Sequence, residues 1–275
     1  MRTNELNRAT MQFKASPLMP ILFIGHGNPL NAITDNTYRK AWREVGENLP
    51  KPNAILCISA HWLTKGTYVA TTDKPETIHD FYGFPKELFE QQYPSPGAPD
   101  YARLTQQEVN ETQILSDPNW GLDHGAWSVL MNMFPKANIP TYQLSIDYSK
   151  PPAYHYKLAK ELFSLRKKGV LIIASGNIVH NLQQANWAPN AKPYVWAIEF
   201  DLAVENHINN HNHEALINYT SWGSVAKFAH PTNDHYLPLL YTLGLRGNDE
   251  NPIYFNHSFD MGSMSMRSII FGNER

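Results

Sequence analysis

The 275-residue chain has a single cysteine, Cys57. A disulfide within the chain is therefore impossible, and a reducing, cytoplasmic location is expected. Cys57 lies inside the apolar run "AILCISAHW" (54–62), where we interpret it as a small core residue.

The chain also has little charge and no long apolar run. Charged residues make up 17% and the formal net charge is −2, so neither nucleic acid nor an anionic membrane is an expected partner. No apolar run approaches the roughly 20 residues that span a bilayer. The first residues lack the apolar core of a secretory signal. We expect residues 1–18 to form a flexible leader and residues 19–275 to form one domain.

Several catalytic motifs are missing. The sequence has no GxSxG nucleophile elbow, no phosphate-binding P-loop, no GxGxxG turn and no HExxH zinc motif. These absences count against a serine hydrolase and a nucleotide-binding protein.

Apolar runs alternate with segments of helical periodicity, and hydrophobic residues make up 42% of the chain. This alternation predicts an α/β domain with a mostly parallel sheet. The expected strands are 20–25, 54–62, 67–73, 140–146 and 170–182, with an antiparallel pair at the C-terminus. The expected helices are 37–50, 101–111, 122–135, 151–169, 193–219 (one helix or two) and 230–244, with a short helical turn at 86–91.

Three expected strands lead into histidines, namely His26, His61 and His180. Sites in open α/β sheets form outside the carboxyl ends of the strands, so these imidazoles are expected to share one cleft. His124 follows Asp123 at an expected helix start, and "HPTNDH" (230–235) opens another helix. Neutral imidazoles suit Fe(II), Zn(II) or Cu(II), and a further histidine could move protons.

The competing interpretation is structural, because a lone histidine at a strand end is more often a hydrogen-bonded structural residue. We interpret the remaining helical and terminal histidines as surface or packing residues: His155, His207, His211, His213 and His257. The "HNH" at 211–213 is not expected to bind metal, because residues two apart on a helix lie on different faces.

Six motifs in order resemble those of the class III extradiol ring-cleaving dioxygenases, most closely the 4,5-DOPA dioxygenase branch. They are "GHGNP", "SAHW", "HDFYGFP", "LDHGAW", "SGNIVHNL" and "HPTNDHYLPL", and they extend from about residue 20 to the last strands. The resemblance implies a non-haem metal enzyme that opens a catechol ring beside its hydroxyls with O₂. It also implies a three-layer α/β fold, with helices on both sides of a parallel or mixed sheet and the metal at the strands' carboxyl ends.

The resemblance also implies roles for individual residues. His26 and His61 would be metal ligands, with His235 as the third where the class usually has a glutamate. An all-histidine site suits Fe(II), which the implied activity requires, but it also suits Zn(II). His180 would be the acid/base, close enough to the metal to ligate it without substrate, and His124 would hydrogen-bond substrate or O₂.

Three further residues are assigned to substrate binding. Phe81 and Tyr82, with Phe84, would form an aromatic wall or lid for the ring, or else plain core. His230 is grouped with them, with orientation of the "HPTNDH" turn as its other interpretation.

The resemblance implies that the substrate is L-DOPA, opened to 4,5-seco-DOPA, or a related small catechol. The residue that would pair with a substrate carboxylate is not identified, and the oligomeric state is open.

Two other functions are considered. A zinc hydrolase would need a carboxylate base, and none is apparent near the histidines. A metal-binding, chelatase-like protein would not explain the long aromatic loop.

Overall fold

The computed structural model describes residues 16–188 and 190–272. Most of the expected leader, residues 1–15, lies outside the described residues. Within the part that is described, no helix is both long and apolar enough to cross a membrane.

A six-stranded sheet forms the centre of the fold, in the order β6-β2-β8-β1-β12-β9. β6, β2, β8 and β1 run parallel, whereas β12 is antiparallel to both β1 and β9. Its strands are β1 (Ile21–Gly25), β2 (Ala54–Ser59), β6 (Thr141–Gln143), β8 (Val170–Gly176), β9 (Ile253–Phe255) and β12 (Ser268–Phe271). Three two-stranded sheets pair β3 (Leu63–Thr64) with β7 (Ile146–Asp147), β4 (Thr67–Ala70) with β5 (Ile114–Asp117), and β10 (Phe259–Asp260) with β11 (Met264–Ser265).

Helices cover both faces of the central sheet. They are α1 (Thr37–Asn48), α2 (Lys86–Phe89), α3 (Pro99–Glu108), α4 (His124–Met133), α5 (Pro152–Glu161), α6 (Phe163–Arg166), α7 (Val195–Asn209), α8 (His213–Ile217), α9 (Ser224–Ala229) and α10 (Leu237–Leu245). Short 3-10 helices lie at Pro29–Ala32, Leu182–Gln184 and Tyr219–Trp222.

Successive residues of a central strand pack into two separate cores, one on each face of the sheet. The sheet and the helices on its two faces therefore form three layers. Ile21 and Phe23 of β1 pack with α5, α7 and α10. Leu22 and Ile24 face the opposite way and pack with α1 and α4. Both faces of the parallel strands are therefore buried, as their continuous apolar sequence indicates. The predicted three-layer α/β fold is confirmed, and Cys57 is a buried core residue as predicted.

The residues at the end of β8 and at the start of α4 help to position the site. The Asp123 side chain accepts a hydrogen bond from the Ala126 main-chain N–H at 3.1 Å, so it caps α4 as predicted. Strand β8 ends at Gly176, where a Cβ atom would lie 2.3 Å from the carbonyl oxygen of His235. Only glycine allows the turn that carries His235 to pass this close to the strand end.

Several expected boundaries were wrong. The expected helix 151–169 is two helices with Leu162 between them. The segment 193–219, expected to be one helix or two, forms two. The segment 230–244 becomes helical only at Leu237, so its Asn-Asp pair does not cap the helix. Strand 140–146 divides into β6 and β7, and β4 lies outside the central sheet.

Candidate active site

Five histidines line one pocket of about 370 Å³ at the carboxyl ends of the parallel strands. His26 directly follows β1, His61 comes two residues after β2, and His180 comes four residues after β8. His124 is the first residue of α4, and His235 lies in the turn before α10. The shared cleft predicted from the strand ends is therefore present.

His26 and His61 face each other through their Nε2 atoms, which are 3.1 Å apart. The Nδ1 atom of His26 lies 2.9 Å from Ser175 Oγ. That hydroxyl donates its only proton to the carbonyl oxygen of Gly125, so it accepts the hydrogen bond from His26. His26 then carries its proton on Nδ1, and its Nε2 lone pair points into the site.

The other two proposed ligands have acidic partners on the same side of the ring. His61 Nδ1 lies 3.4 Å from Asp80 Oδ2, and His235 Nδ1 lies 3.2 Å from Asp234 Oδ2. A carboxylate beside Nδ1 favours the proton on that atom and frees Nε2, the arrangement found around metal-bound histidines.

These contacts fit a bound cation. Two Nε2 lone pairs that face each other at 3.1 Å repel unless a positive charge lies between them. One nitrogen each from His26, His61 and His235 fall within 4.8 Å of one another. Three imidazoles suit a divalent transition metal, and three protein ligands would leave coordination positions for other molecules.

The burial of the site favours neutral imidazoles. Desolvation, reinforced by the neighbouring imidazoles, lowers the pKa of His26 and that of His61 well below the ordinary value. Neutral imidazole is the form that binds metal.

His180 lies directly against this group of three. Its ring stacks on that of His235, with centroids 3.5 Å apart and planes within 2°. Its main-chain N–H donates to the carbonyl oxygen of Ala229 at 2.9 Å, which fixes the segment after β8. His180 therefore reaches the pocket beside the proposed metal position.

His124 lines the same pocket, with its ring centroid 3.9 Å from that of His61, and is held by Asp80. Asp80 Oδ1 accepts the main-chain N–H of His124 at 2.9 Å and lies 3.0 Å from its Nδ1. Although burial alone would raise the pKa of Asp80, the hydrogen bonds and charge of His124 lower it overall. Asp80 is thus an anion that orients two pocket histidines, His124 and His61.

The aromatic loop divides between the two expected roles. Phe81 is buried and packs in the core against Phe84, Phe89 and Trp127, and it also lines the pocket. Tyr82 also lines the pocket, but its side chain is 90% exposed at the mouth. Phe81 therefore fits both the core and the wall interpretation, whereas Tyr82 fits the wall interpretation.

His230 is the site residue whose expected substrate contact the structure does not support. It is buried among Phe200, Tyr219 and Tyr236 and is not among the residues that line the pocket. Its Nε2 lies 2.6 Å from the carbonyl oxygen of Ile178. Burial lowers the pKa of His230 to about 4, so it donates this bond as a neutral ring. This position is compatible with the other interpretation, in which His230 orients the "HPTNDH" turn.

The "HNH" segment lies elsewhere. His211 Nε2 is 3.2 Å from a nitrogen of the Arg246 guanidinium, and His213 Nδ1 is 2.9 Å from the hydroxyl of Tyr156. A cation beside His211 opposes metal binding there. Neither residue is in the histidine and carboxylate groups that could hold a metal among the described residues.

Sequence reasoning missed the residues that support and extend the site. Asp80 was inside the quoted "HDFYGFP" motif, and Asp234 directly precedes His235, so an acid next to a predicted ligand was an available signal. No local signal marked Ser175, because it reads as an ordinary residue of a buried strand. Leu182 and Trp187 line the pocket from the segment after His180.

The comparisons with known proteins agree with this geometry. Residues 20–271 match the family described as the catalytic LigB subunit of aromatic ring-opening dioxygenase. A protein from Escherichia coli K12 named 4,5-DOPA dioxygenase extradiol is 42% identical over 262 residues, 94% of this chain and 96% of its own length. A protein of the same name from Beta vulgaris is 38% identical over 258 residues, 90% of this chain and 95% of its own. The crystal structure of an uncharacterized E. coli K12 protein matches with a TM-score of 0.81 at 39% identity, covering 92% of this chain and 100% of that one.

Proposed function

The chain belongs to the family of the catalytic LigB subunit of aromatic ring-opening dioxygenases and is a metal-dependent extradiol dioxygenase, and we propose that it opens the ring of L-DOPA or a related small catechol. The observation that carries this proposal is the convergence of His26, His61 and His235 in a pocket with aromatic walls. The names of the relatives from E. coli and Beta vulgaris suggest L-DOPA.

His26, His61 and His235 would hold one divalent metal, with Fe(II) as the active form and Zn(II) as a competitor for the same nitrogens. Fe(II), when bound, supplies adjacent coordination positions for the two catechol oxygens and O₂. The chain's contribution is orientation, because Ser175, Asp80 and Asp234 fix the three rings through their Nδ1 sides.

His180 is the proposed proton carrier. Its ring lines the pocket and is stacked on His235, so an imidazole nitrogen can accept the proton of a catechol hydroxyl and later return it. His180 could also ligate the metal in the absence of substrate. His124 would donate a hydrogen bond to substrate or O₂, with Asp80 holding its ring in place.

The two alternative functions are not favoured by the family match. One argument against a hydrolase was wrong, since the carboxylate of Asp80 does line the pocket. That carboxylate, however, accepts the main-chain N–H of His124 and lies beside the imidazoles of His124 and His61. Its contacts are those of a group that orients these two histidines, not of a free base. A cytoplasmic location stays a prediction from the cysteine content.

Anaerobic loading with Fe(II), followed by L-DOPA and air, tests the proposal. We expect iron-dependent oxygen uptake and a yellow ring-opened product. Product from a simpler catechol but not from L-DOPA would support the ring-opening reaction and replace L-DOPA as the substrate. No oxygen uptake with any catechol would contradict the proposed function.

A further inference from the structure

L-DOPA carries a carboxylate on its ring substituent, and the hydrogen-bond donors of the pocket decide how that group can bind. Among the described residues that line the pocket there is no lysine or arginine. The five imidazoles are assigned to the metal, to proton transfer and to substrate or O₂. The other side chains of the wall that can donate a hydrogen bond are Asn28, Tyr82 and Trp187.

The amide group of Asn28 is fixed on one side and free on the other. Its Oδ1 accepts the main-chain N–H of Leu30 at 2.9 Å and so caps the 3-10 helix Pro29–Ala32. Only the oxygen of an amide can accept a hydrogen bond, so this contact determines which way the group is turned. The NH₂ group of Asn28 has no hydrogen-bond partner among the described residues, and both of its protons are available to a ligand.

The backbone that carries Asn28 is anchored as well. Its main-chain N–H donates to the carboxylate of Asp260, and Asn31 Nδ2 lies 3.4 Å from Oδ2 of the same carboxylate. The main-chain N–H of Asn31 donates to the carbonyl oxygen of Asn28 at 2.9 Å. A donor held in this way loses little conformational freedom when a ligand binds, so less of its interaction energy is spent on ordering.

The other two donors are more exposed to water. Tyr82 and Trp187 are 90% and 64% exposed, whereas Asn28 is half-buried. Water competes for the hydrogen bonds of an exposed group, so the net gain from a bond to a ligand is smaller there. Asn28 is therefore the donor best placed to receive an anionic group.

We propose that the side-chain NH₂ of Asn28 donates a hydrogen bond to the carboxylate on the ring substituent of the catechol and so favours substrates that carry one. This inference rests on the proposed function, because it takes the catechol ring to lie at the proposed metal position with its substituent along the pocket wall. Asn28 is then a specificity-determining residue, while other groups bind the two hydroxyls. A hydrogen bond to a charged group contributes about 10-fold or more to affinity.

Two pairs of catechols that differ by one carboxylate test the proposal. L-DOPA is paired with dopamine, and 3-(3,4-dihydroxyphenyl)propanoate is paired with 4-ethylcatechol. Dissociation constants are measured by calorimetry without oxygen on the full-length protein loaded with Fe(II), and kcat and KM are measured by oxygen uptake. The ratio of the two dissociation constants within a pair reports on the carboxylate alone.

Two substitutions of Asn28 remove the donor in different ways. Asn28→Ala removes the whole amide, and we expect it to shift the ratio in each pair about 10-fold against the carboxylate compound. Asn28→Asp retains an oxygen that can cap Leu30 but replaces the NH₂ with an anionic oxygen, so its shift should be larger. In both variants KM for the carboxylate compounds should rise by a larger factor than kcat falls.

Asn212 provides the matched control. Its Oδ1 accepts the main-chain N–H of Ala215 at 3.2 Å and caps α8, so it has the same local role as Asn28. Asn212 is exposed and does not line the pocket. Asn212→Ala and Asn212→Asp should leave the ratio in both pairs unchanged.

Equal weakening of both members of a pair by Asn28→Asp would overturn the inference, because Asn28 would then act on the ring or the metal and not on the carboxylate. Unchanged ratios in both Asn28 variants would overturn it as well. Oxygen uptake with none of the four catechols would overturn the proposed function, and the dissociation constants measured without oxygen would still decide the role of Asn28. If none of the four compounds bound, both proposals would be overturned.

Discussion

Ser175→Ala should weaken metal binding without touching a metal ligand. The change removes the hydroxyl that accepts the hydrogen bond from His26 Nδ1 at 2.9 Å and donates to the carbonyl oxygen of Gly125 at 2.6 Å. Ser175 is 1% exposed, so water has little access to replace either bond. His26 would then lose the contact that keeps its proton on Nδ1 and its Nε2 free.

The expected magnitude follows from these two contacts. Loss of a partner that orients a ligating histidine raises the metal dissociation constant by about 10- to 100-fold. Leaving buried polar groups unpaired lowers the free energy of unfolding by about 1–3 kcal/mol. The protein should therefore remain folded at room temperature while its metal affinity falls.

Competitive titration of the metal against a chromophoric chelator measures the first quantity, and denaturant unfolding measures the second. Ser95→Ala is the matched control, because Ser95 is also buried and its hydroxyl has no hydrogen-bond partner among the described residues. It should change the metal dissociation constant less than twofold. An unchanged dissociation constant in Ser175→Ala, alongside a lower unfolding free energy, would refute the role assigned to Ser175.

Three other predictions concern the ligands, the proton carrier and a surface ion pair. His61→Ala should abolish metal binding and oxygen uptake, whereas His211→Ala should change neither; full metal occupancy in His61→Ala, measured by elemental analysis, would remove His61 from the ligand set. His180→Gln should retain metal but lower turnover by about 10²- to 10⁴-fold, the usual contribution of a general acid or base. Loss of metal in that variant would instead make His180 a ligand. Although burial alone would raise the pKa of Glu108, the ammonium of Lys168 and the hydroxyl of Ser164 lower it overall. A carboxyl whose pKa is lower in the folded state stabilises the fold above its unfolded pKa, and this stabilisation is lost as the pH falls through the folded pKa. Glu108→Gln should therefore cost about 0.5–1 kcal/mol at pH 7 and progressively less in acid, as urea unfolding at several pH values would show. A cost that did not shrink in acid would contradict this assignment.

The layers and the position of the site were predictable because they depend on local patterns. The apolar runs of β1, β2 and β8 identify strands buried on both faces, and parallel strands bring the residues that follow them to one edge. His26, His61 and His180 could therefore be placed in one cleft from spacing alone. Asp123 before a helical apolar pattern likewise predicted the start of α4.

The remaining features depend on contacts between segments distant in sequence. Ser175 Oγ reaches His26 from a position 149 residues away, and nothing in "IIASG" marks this serine as a histidine partner. His230 was grouped with the substrate residues because of its motif, yet it packs into an aromatic cluster that tertiary structure alone assembles. Leu182 and Trp187 resemble surface loop residues in the sequence, yet both line the pocket in the folded chain.

The ligand assignment can be tested most directly by anomalous diffraction at the iron edge, from crystals of the Fe(II)-loaded protein grown without oxygen. The three-histidine assignment predicts one iron peak bonded to Nε2 of His26, His61 and His235. The described residues offer a rival set, His61 with Asp80 and His124, whose ligand atoms also lie within 4.8 Å of one another. Iron bonded to Asp80 and His124, with His26 and His235 unligated, would contradict the proposed centre.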